Sequence, residues 1–269
     1  MPGKGALPLG VLELSVAALL VLVAGLVSVA LRLSLERKLL VASVRTVVQL
    51  GCVGYALAWV FRIESPWLLF GVLTVMTAAA GRAAVARSSR RFEGAQAYSF
   101  ITLVLTGLLT TFAVTGAIIG VRPWYHAQYV IPLLGMVLGN SLTGVSLTLD
   151  SLLTELDEQR ARVEMELALG ASRWEAARDP LRDAARRGMI PILNSMTVVG
   201  IVSLPGMMTG QILEGADPLQ AVKYQIVVMF MLAASTSLGC TGVVVFVFLR
   251  LFNDRHQLRA ERIVESAKH

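Results

Sequence analysis

Seven long stretches of the chain carry no Asp, Glu, Lys or Arg, and aliphatic residues dominate each of them. The stretches are 14–31, 46–61, 65–81, 94–121, 129–149, 188–213 and 224–249. About 18 to 20 apolar residues in a row are enough to cross a bilayer as an α-helix. Because the apolar residues are continuous rather than alternating, they indicate helices and not a membrane β-barrel. We predict seven transmembrane helices, at about 8–31, 39–61, 66–86, 96–121, 129–149, 189–213 and 222–250.

The composition agrees with this pattern. Of the 269 residues, 55% are hydrophobic and 16% are charged, whereas a soluble domain carries about 25% charged residues. The two cysteines, Cys52 and Cys240, both lie in apolar stretches and provide neither a disulfide framework nor a metal-binding spacing. We therefore expect an all-α, polytopic integral membrane protein.

The net charge of +6 is better explained by membrane topology than by nucleic-acid binding. With the N-terminus outside, 19 of the 24 Lys and Arg residues fall on the cytoplasmic side and four outside, as the positive-inside rule requires. The cytoplasmic cations are Arg32, Arg37, Lys38, Arg82, Arg87, Arg90, Arg91, seven arginines between 160 and 187, Arg250, Arg255, Arg259, Arg262 and Lys268. The outer ones are Lys4, Arg62, Arg122 and Lys223, and Arg45 lies within the second helix. We predict an N-out, C-in orientation, with the first helix retained as an anchor rather than cleaved as a signal peptide.

Residues 150–188 form the one long polar segment and hold 16 charged residues. We predict an amphipathic helix over 152–169 that breaks at Gly170, which suits a left-handed C-terminal cap. Ser172 and Glu175 fit the capping box of a second helix. Such a cytoplasmic helical knob either docks on a separate motor protein or is an ordinary helix in solvent or on lipid headgroups. The chain has no G-x-x-x-x-G-K-[ST] loop to bind a nucleotide itself.

A family resemblance bears on this choice. Residues 164–174, E-M-E-L-A-L-G-A-S-R-W, resemble the E-A-A-x-x-x-G coupling segment of ABC-transporter permeases, although Met165 and Glu166 replace its two alanines. Residues 45–51, 192–218 and 224–229 extend the similarity over essentially the whole chain. The chain closely resembles the iron-export ABC permeases of the Fet type, a family shared with plant aluminium-tolerance permeases.

The resemblance implies a non-enzymatic, multi-pass permease domain over residues 1–269 in the bacterial inner membrane. It implies a separate ATP-binding subunit, with two copies of each chain, and no cofactor on this chain, since ATP and Mg²⁺ are used by the partner. The implied coupling residues are Glu164, Glu166, Gly170, Ala171, Ser172 and Trp174. Bacterial members are linked to iron export and plant members to UDP-glucose, so the substrate stays open. A stand-alone secondary carrier is the alternative; it needs an ion-coupling charge deep in a helix, and only Arg45 is available.

The predicted sixth helix contains the first candidates for a transport pathway. Proline removes a helix hydrogen bond, and broken helices at membrane depth line cavities or are buried in protein. We therefore predict that residues 204–211 form the pathway or its gate. The residues concerned are Pro205, Gly206, Met207, Met208 and Gln211. The alternative is a kinked packing helix in which Gly206 and Gly210 allow close helix approach.

Other polar residues offer weaker candidates. Arg45 and Gln49 lie one helical turn apart and either line the pathway or, for Arg45, reach the inner interface. Asn140 adds polar lining or an interhelical hydrogen bond. Glu214 and Asp217 offer oxygen ligands for iron at an exit mouth, or form a solvated turn before Pro218. The methionines at 196, 207, 208, 229 and 231 suit a soft metal ion or plain packing, and the pairs Gly116/Gly120 and Gly135/Gly139 are interpreted as packing sites.

Overall fold

A computed structural model describes residues 10–63, 65–86 and 90–265, and this part of the chain folds into nine α-helices. They are α1 (Val11–Ala30), α2 (Glu36–Ile63), α3 (Pro66–Ala86), α4 (Ala95–Ala113), α5 (Ala127–Glu158), α6 (Arg160–Ala168), α7 (Arg173–Val198), α8 (Gly206–Leu213) and α9 (Pro218–Leu251). A π-helical turn (Val114–Ile119) extends α4, and a 3-10 turn (Ala260–Arg262) follows α9. Two strands of two residues, β1 (Arg90–Arg91) and β2 (Val264–Glu265), pair antiparallel, so the fold is helical apart from this pair. The start of the first predicted helix and three cations of the charge count (Lys4, Arg87, Lys268) lie outside the described residues.

Six of the described helices are long and apolar enough to cross a membrane: α1, α2, α3, α4 with its π-helical turn, α5 and α9. The chain is thus a multi-pass membrane protein. The predicted helix over 189–213 is broken in the structure, because α7 ends at Val198 and α8 begins only at Gly206. Pro205 disfavours helical backbone at the residue before it, and Gly200 adopts a left-handed conformation with φ of +84°.

The fifth helix is longer than predicted. It continues through residue 149 to Glu158, so the predicted amphipathic helix over 152–169 is the end of α5 followed by α6. Only Gln159 separates the two helices, and its N–H still donates to the carbonyl of Glu155 at 2.9 Å. The extension is stabilised by a continuous buried face, formed by Leu149, Leu152, Leu153 and Leu156.

The bundle is centred on α5, α7 and α9; α4 packs against α5 and α9, and α3 packs against α4 and α5. Hydrogen bonds between buried serines and their neighbours join these helices. Ser141 Oγ donates to Ser235 Oγ at 3.0 Å between α5 and α9, and Ser146 Oγ donates to the carbonyl of Ala84 in α3 at 3.0 Å. Helix α6, the turn after it and the start of α7 (residues 160–176) form the knob, and we call the end of the bundle that carries it the knob end.

Helices α1 and α2 form an arm at the side of the bundle. Ser28 Oγ fixes their connection by accepting from the N–H of Leu35 at 2.9 Å and donating to the Glu36 carboxylate at 3.1 Å. Most side chains of the arm are exposed, and α2 reaches the bundle core near its end, where Val60 is buried. The arm therefore leaves a large apolar surface uncovered in a single protomer.

Candidate functional site

The knob, residues 160–176, consists of α6, a tight turn and the start of α7. Gly170 has a φ of +96°, which suits glycine. Its N–H donates to the carbonyl of Leu167 and the N–H of Ala171 donates to that of Glu166, both at 3.1 Å. These are the two bonds of a Schellman motif. The predicted helix break at Gly170 is therefore present.

The predicted capping box follows two residues later. The Glu175 carboxylate accepts from the backbone N–H of Ser172 at 2.8 Å and from its hydroxyl at 2.7 Å. In return, Ser172 Oγ accepts from the N–H of Glu175 at 3.3 Å. The hydroxyl bond, followed by the backbone bond, lowers the pKa of Glu175. Two capping motifs within residues 166–175 therefore fix the geometry of the turn.

Ion pairs brace α6. Arg162 lies 3.0 Å from Glu166 within α6 and 3.0 Å from Asp179 in α7, and these carboxylates, with Glu166 the larger cause, raise the pKa of Arg162. Arg162 thus links α6 to α7, whereas Glu166, which replaces an alanine of the coupling segment, pairs with Arg162 within α6. Glu164 pairs with Arg160 at 2.7 Å.

Between these charges the knob presents three large apolar side chains. Met165, Leu169 and Trp174 are 57%, 80% and 56% exposed. The indole of Trp174 also packs edge-on against Phe248 of α9, with 5.4 Å between the centroids of the two rings. The knob therefore combines a rigid backbone with an exposed apolar tip.

The segment after α9 holds the knob from the other side. The N–H of Arg173 donates to His256 Nδ1 at 2.9 Å, and the Arg173 guanidinium pairs with Asp254 at 2.9 Å. Glu164 lines a cavity of about 730 Å³ between α6 and residues 253–261.

An ion pair between a buried carboxylate and an exposed arginine links α5 and α7. Arg187 lies 2.9 Å from Glu155, whose side chain is 8% exposed, and also donates to Ser151 Oγ at 3.1 Å. Sequence reasoning missed this contact, because the two charges are far apart in the sequence. The available signal was a carboxylate on the leucine-rich face of α5.

The break between α7 and α8 is a compact turn. The carbonyl of Val198 accepts from the N–H of Val202 at 2.9 Å, and the N–H of Gly200 donates to the carbonyl of Ser203 at 2.9 Å. Ile201 and Val202 are 88% and 78% exposed. The non-helical segment thus lies at the surface of the protomer.

The predicted pathway residues 204–211 lie at the end of this break and in the helix α8 that follows it. Pro205 precedes α8 as its N-cap, Met207 packs against a buried cluster that contains Met229, and Met208 lines an apolar cavity of about 440 Å³. Gly206 has open space where a side chain would be. Gln211 has a buried Oε1 with no hydrogen-bond partner in the described part of the chain.

Gln225 of α9 lines the same cavity and was not predicted. Its Oε1 is also buried and without a hydrogen-bond partner among the described residues. An amide within the charge-free stretch 224–249 was the signal that could have identified it.

The other candidates lie elsewhere. Arg45 and Gln49 are exposed on the arm. Asn140 is half-buried, and its Nδ2 donates to the carbonyl of Met136 in its own helix at 3.0 Å. The interhelical hydrogen bond is made by its neighbour Ser141 instead.

The two candidate metal ligands lie in the turn before α9. Asp217 accepts from the N–H of Gln220 at 3.0 Å as the N-cap of α9, and Glu214 directly follows α8. No group of three or more His, Cys, Asp or Glu side chains with metal-binding geometry occurs within residues 10–63, 65–86 and 90–265. Iron binding by Glu214 and Asp217 stays a prediction.

Comparison with known proteins gives one consistent family. The profile of "Uncharacterised protein family (UPF0014)" matches residues 11–252, from α1 to the end of α9. A UPF0014 membrane protein of Synechocystis is 38% identical over 226 residues, which cover 84% of this chain and 87% of that protein. The "Probable iron export permease protein FetB" of Escherichia coli is 36% identical over 247 residues, 91% of this chain and 93% of its own. "Protein ALUMINUM SENSITIVE 3" of Arabidopsis thaliana is 32% identical over 258 residues, 93% and 90% of the two chains.

No solved structure matches the chain significantly. The sequence matches nevertheless span all six membrane helices, the knob and the broken segment. The resemblance inferred from the sequence is confirmed, and the chain belongs to UPF0014, a family of membrane proteins that includes a relative named as a permease.

Proposed function

We propose that the chain is the permease subunit of an ABC transporter that exports iron across the bacterial inner membrane, driven by a separate ATP-binding subunit. The observation that carries the proposal is the knob, which is rigid and presents Met165, Leu169 and Trp174 among charged side chains. Exposed apolar groups rimmed by polar ones are typical of protein-docking sites. The name of the similar Escherichia coli protein, a probable iron export permease, supports the substrate and the direction.

Helix α7 gives the knob a mechanical connection to the membrane. It runs through 26 residues from Arg173 in the knob to Val198 at the break, a length of about 39 Å at 1.5 Å per residue. Pro191 removes one hydrogen bond within it and supplies a point of flexure. ATP-driven movement of the partner at the knob would therefore reach residues 199–205, which we propose as the gate.

The break also supports a transporter with two copies of the permease. Non-helical backbone is tolerated at membrane depth only where protein or water covers it, yet Ile201 and Val202 are almost fully exposed on one protomer. Gly206 and Gly210 have no atoms within 4 Å of an added Cβ, which leaves room for another helix to approach. We place the pathway between the two breaks, with Gln211 and Gln225 as its polar groups and the arm residues Arg45 and Gln49 as further lining.

The proposal is tested by reconstituting the permease and its ATP-binding subunit in vesicles. We expect Fe²⁺ to stimulate ATP hydrolysis and to move away from the knob side when ATP is added. Gly170→Val forces a branched residue into a left-handed backbone and should lower Fe²⁺-stimulated hydrolysis at least about tenfold, within the usual range of coupling free energies. Gly120→Val is the matched control, because Gly120 also has a positive φ, of +72°, and lies outside the knob.

Each other outcome contradicts a different part of the proposal. Stimulation by UDP-glucose and not by Fe²⁺ would replace iron by a nucleotide sugar. Full coupling in Gly170→Val would remove the knob as the docking site. Transport by the permease alone, without the ATP-binding subunit, would make the chain a secondary carrier.

A further inference from the structure

Five arginines line a cavity of about 510 Å³ at the knob end of α9. They are Arg173, Arg250, Arg255, Arg259 and Arg262. Among the described residues, Asp254 is the one acidic residue that lines the cavity. The lining therefore carries a formal charge of +4.

Carboxylates neutralise little of this charge. Arg173 pairs with Asp254 at 2.9 Å, and Arg250 lies 3.9 Å from Glu93. The other three arginines form no ion pair with any residue that the structure describes. Arg250 also has a buried Nε without a hydrogen-bond partner within that same part of the chain. Because like charges repel at short range, an anion between these groups would lower the free energy of the arrangement.

The backbone that carries the three unpaired arginines is fixed. Asn253 Oδ1 accepts from the N–H of Arg255 at 3.0 Å and from that of Gln257 at 2.9 Å. The N–H of Arg259 donates to the carbonyl of Leu251 at 2.7 Å, and Leu258 is buried. The backbone therefore loses little conformational entropy when a ligand binds.

The neighbouring cavity of about 730 Å³ provides a contrast. It shares Arg255 and Arg259 but adds the carboxylates of Glu164 and Glu261. Its arginines and carboxylates are therefore balanced in number, and it has no comparable attraction for an anion. The excess of positive charge belongs to the smaller cavity.

We infer that the five-arginine cavity binds a phosphate group. Guanidinium groups match phosphate oxygens in bidentate geometry. Arg250 is in the last turn of a membrane-spanning helix, which puts the cavity at the depth of lipid headgroups, where basic pockets bind anionic lipids. The phosphate comes from an anionic phospholipid of the adjacent leaflet or from a free phosphate compound. Since Arg173 belongs to both cavity and knob, the bound anion would hold the segment after α9 against the knob.

The test is native mass spectrometry of the purified full chain with phosphatidylglycerol, phosphatidylcholine and inorganic phosphate as probes. We expect phosphatidylglycerol to be retained in preference to phosphatidylcholine. The variant R255Q/R259Q/R262Q should lose affinity about a hundredfold, because each cation near a membrane surface contributes about fivefold. R255K/R259K/R262K should regain much of it, since the charge is restored.

The matched control is R178Q/R182Q/R186Q, which removes the same charge from exposed arginines of α7 outside the cavity. Displacement of phosphatidylglycerol by millimolar inorganic phosphate would support a site open to free phosphate compounds, and resistance to displacement would support a lipid site. The inference is overturned if the two triple glutamine variants have equal affinity for phosphatidylglycerol. It is also overturned if neither phosphatidylglycerol nor inorganic phosphate binds. If no probe binds, and R255Q/R259Q/R262Q retains an ATP-binding subunit more weakly than the unmodified chain does, the surface would be assigned to an acidic protein partner. The lipid and phosphate binding measurements require neither transport nor the ATP-binding subunit, so they fail or succeed independently of the proposed function.

Discussion

Gly144 and Gly188 set the distance between α5 and α7. A methyl group on Gly188 would clash with Thr148 Oγ1 and lie 2.7 Å from the carbonyl oxygen of Gly144 and 2.8 Å from Cys240 Sγ. Two of these three groups belong to α5, so the clash is between packed helices. The G-x-x-x-G pairs predicted to pack behave differently: they meet open space in the protomer, except that Gly135 approaches Met76. Spacing within one helix does not identify glycines that meet across two helices.

Gly188→Ala should therefore destabilise the protein by about 1–3 kcal/mol, the usual cost of overpacking a core. The measurement is the midpoint of thermal unfolding in detergent. Gly71→Ala is the control, because Gly71 also lies within a membrane helix but has nothing within 4 Å of an added Cβ. Equal unfolding midpoints for the two variants would show that the α5–α7 contact is looser than described.

At the scale of helices, the sequence predicted most elements because their signals are local. All of the charge-free stretch 65–81 except its first residue lies within α3, which has the predicted bounds of 66–86. The turn at Gly170 was also predictable, since its two capping motifs each use neighbouring residues. The extension of α5 to Glu158 was not, because the charge-free stretch ends at residue 149 and the polar segment begins with Asp150. What keeps that stretch helical is packing of its leucines against the bundle.

The ion pair between α5 and α7 should respond asymmetrically to mutation. Glu155 is 8% exposed, whereas Arg187 is 59% exposed. Arg187→Gln leaves a buried carboxylate without its partner and should cost about 2 kcal/mol, less than a fully buried pair. Glu155→Gln leaves an arginine that water can solvate and should cost below about 1 kcal/mol.

Denaturant unfolding of both single variants and of the double variant measures this difference. The double variant should be more stable than Arg187→Gln alone, because no unpaired carboxylate then remains. Arg186→Gln is the control, since Arg186 makes only a surface contact of 3.7 Å with Asp183. Equal losses for Arg187→Gln and Glu155→Gln would contradict the assignment of burial to one partner.

The protomer as a whole exposes two kinds of apolar surface. One is helical, on the arm and on the outer faces of α3 and α4, and lipid can cover it because the backbone bonds are satisfied within each helix. The other is the non-helical segment 199–205, where the N–H groups of Gly200, Val202 and Ser203 bond within the turn but the regular hydrogen-bond ladder of a helix is interrupted. Gly200, Ser203 and Pro205 distinguish this segment from the helical surfaces, whereas its other residues are the same Val, Ile and Leu. We therefore propose that protein, rather than lipid, covers the break.

A second copy of the chain is the cover proposed above, and cysteine cross-linking tests it. In a background without Cys52 and Cys240, Ile201→Cys should form a disulfide-linked dimer on oxidation in membranes, because the two breaks would face each other. Val75→Cys, which is 70% exposed on α3, is the control and should stay monomeric because it faces lipid. The readout is the fraction of dimer on a non-reducing gel. Similar dimer fractions at both positions would mean random collision, and the break would then need another cover, such as water in an open cavity.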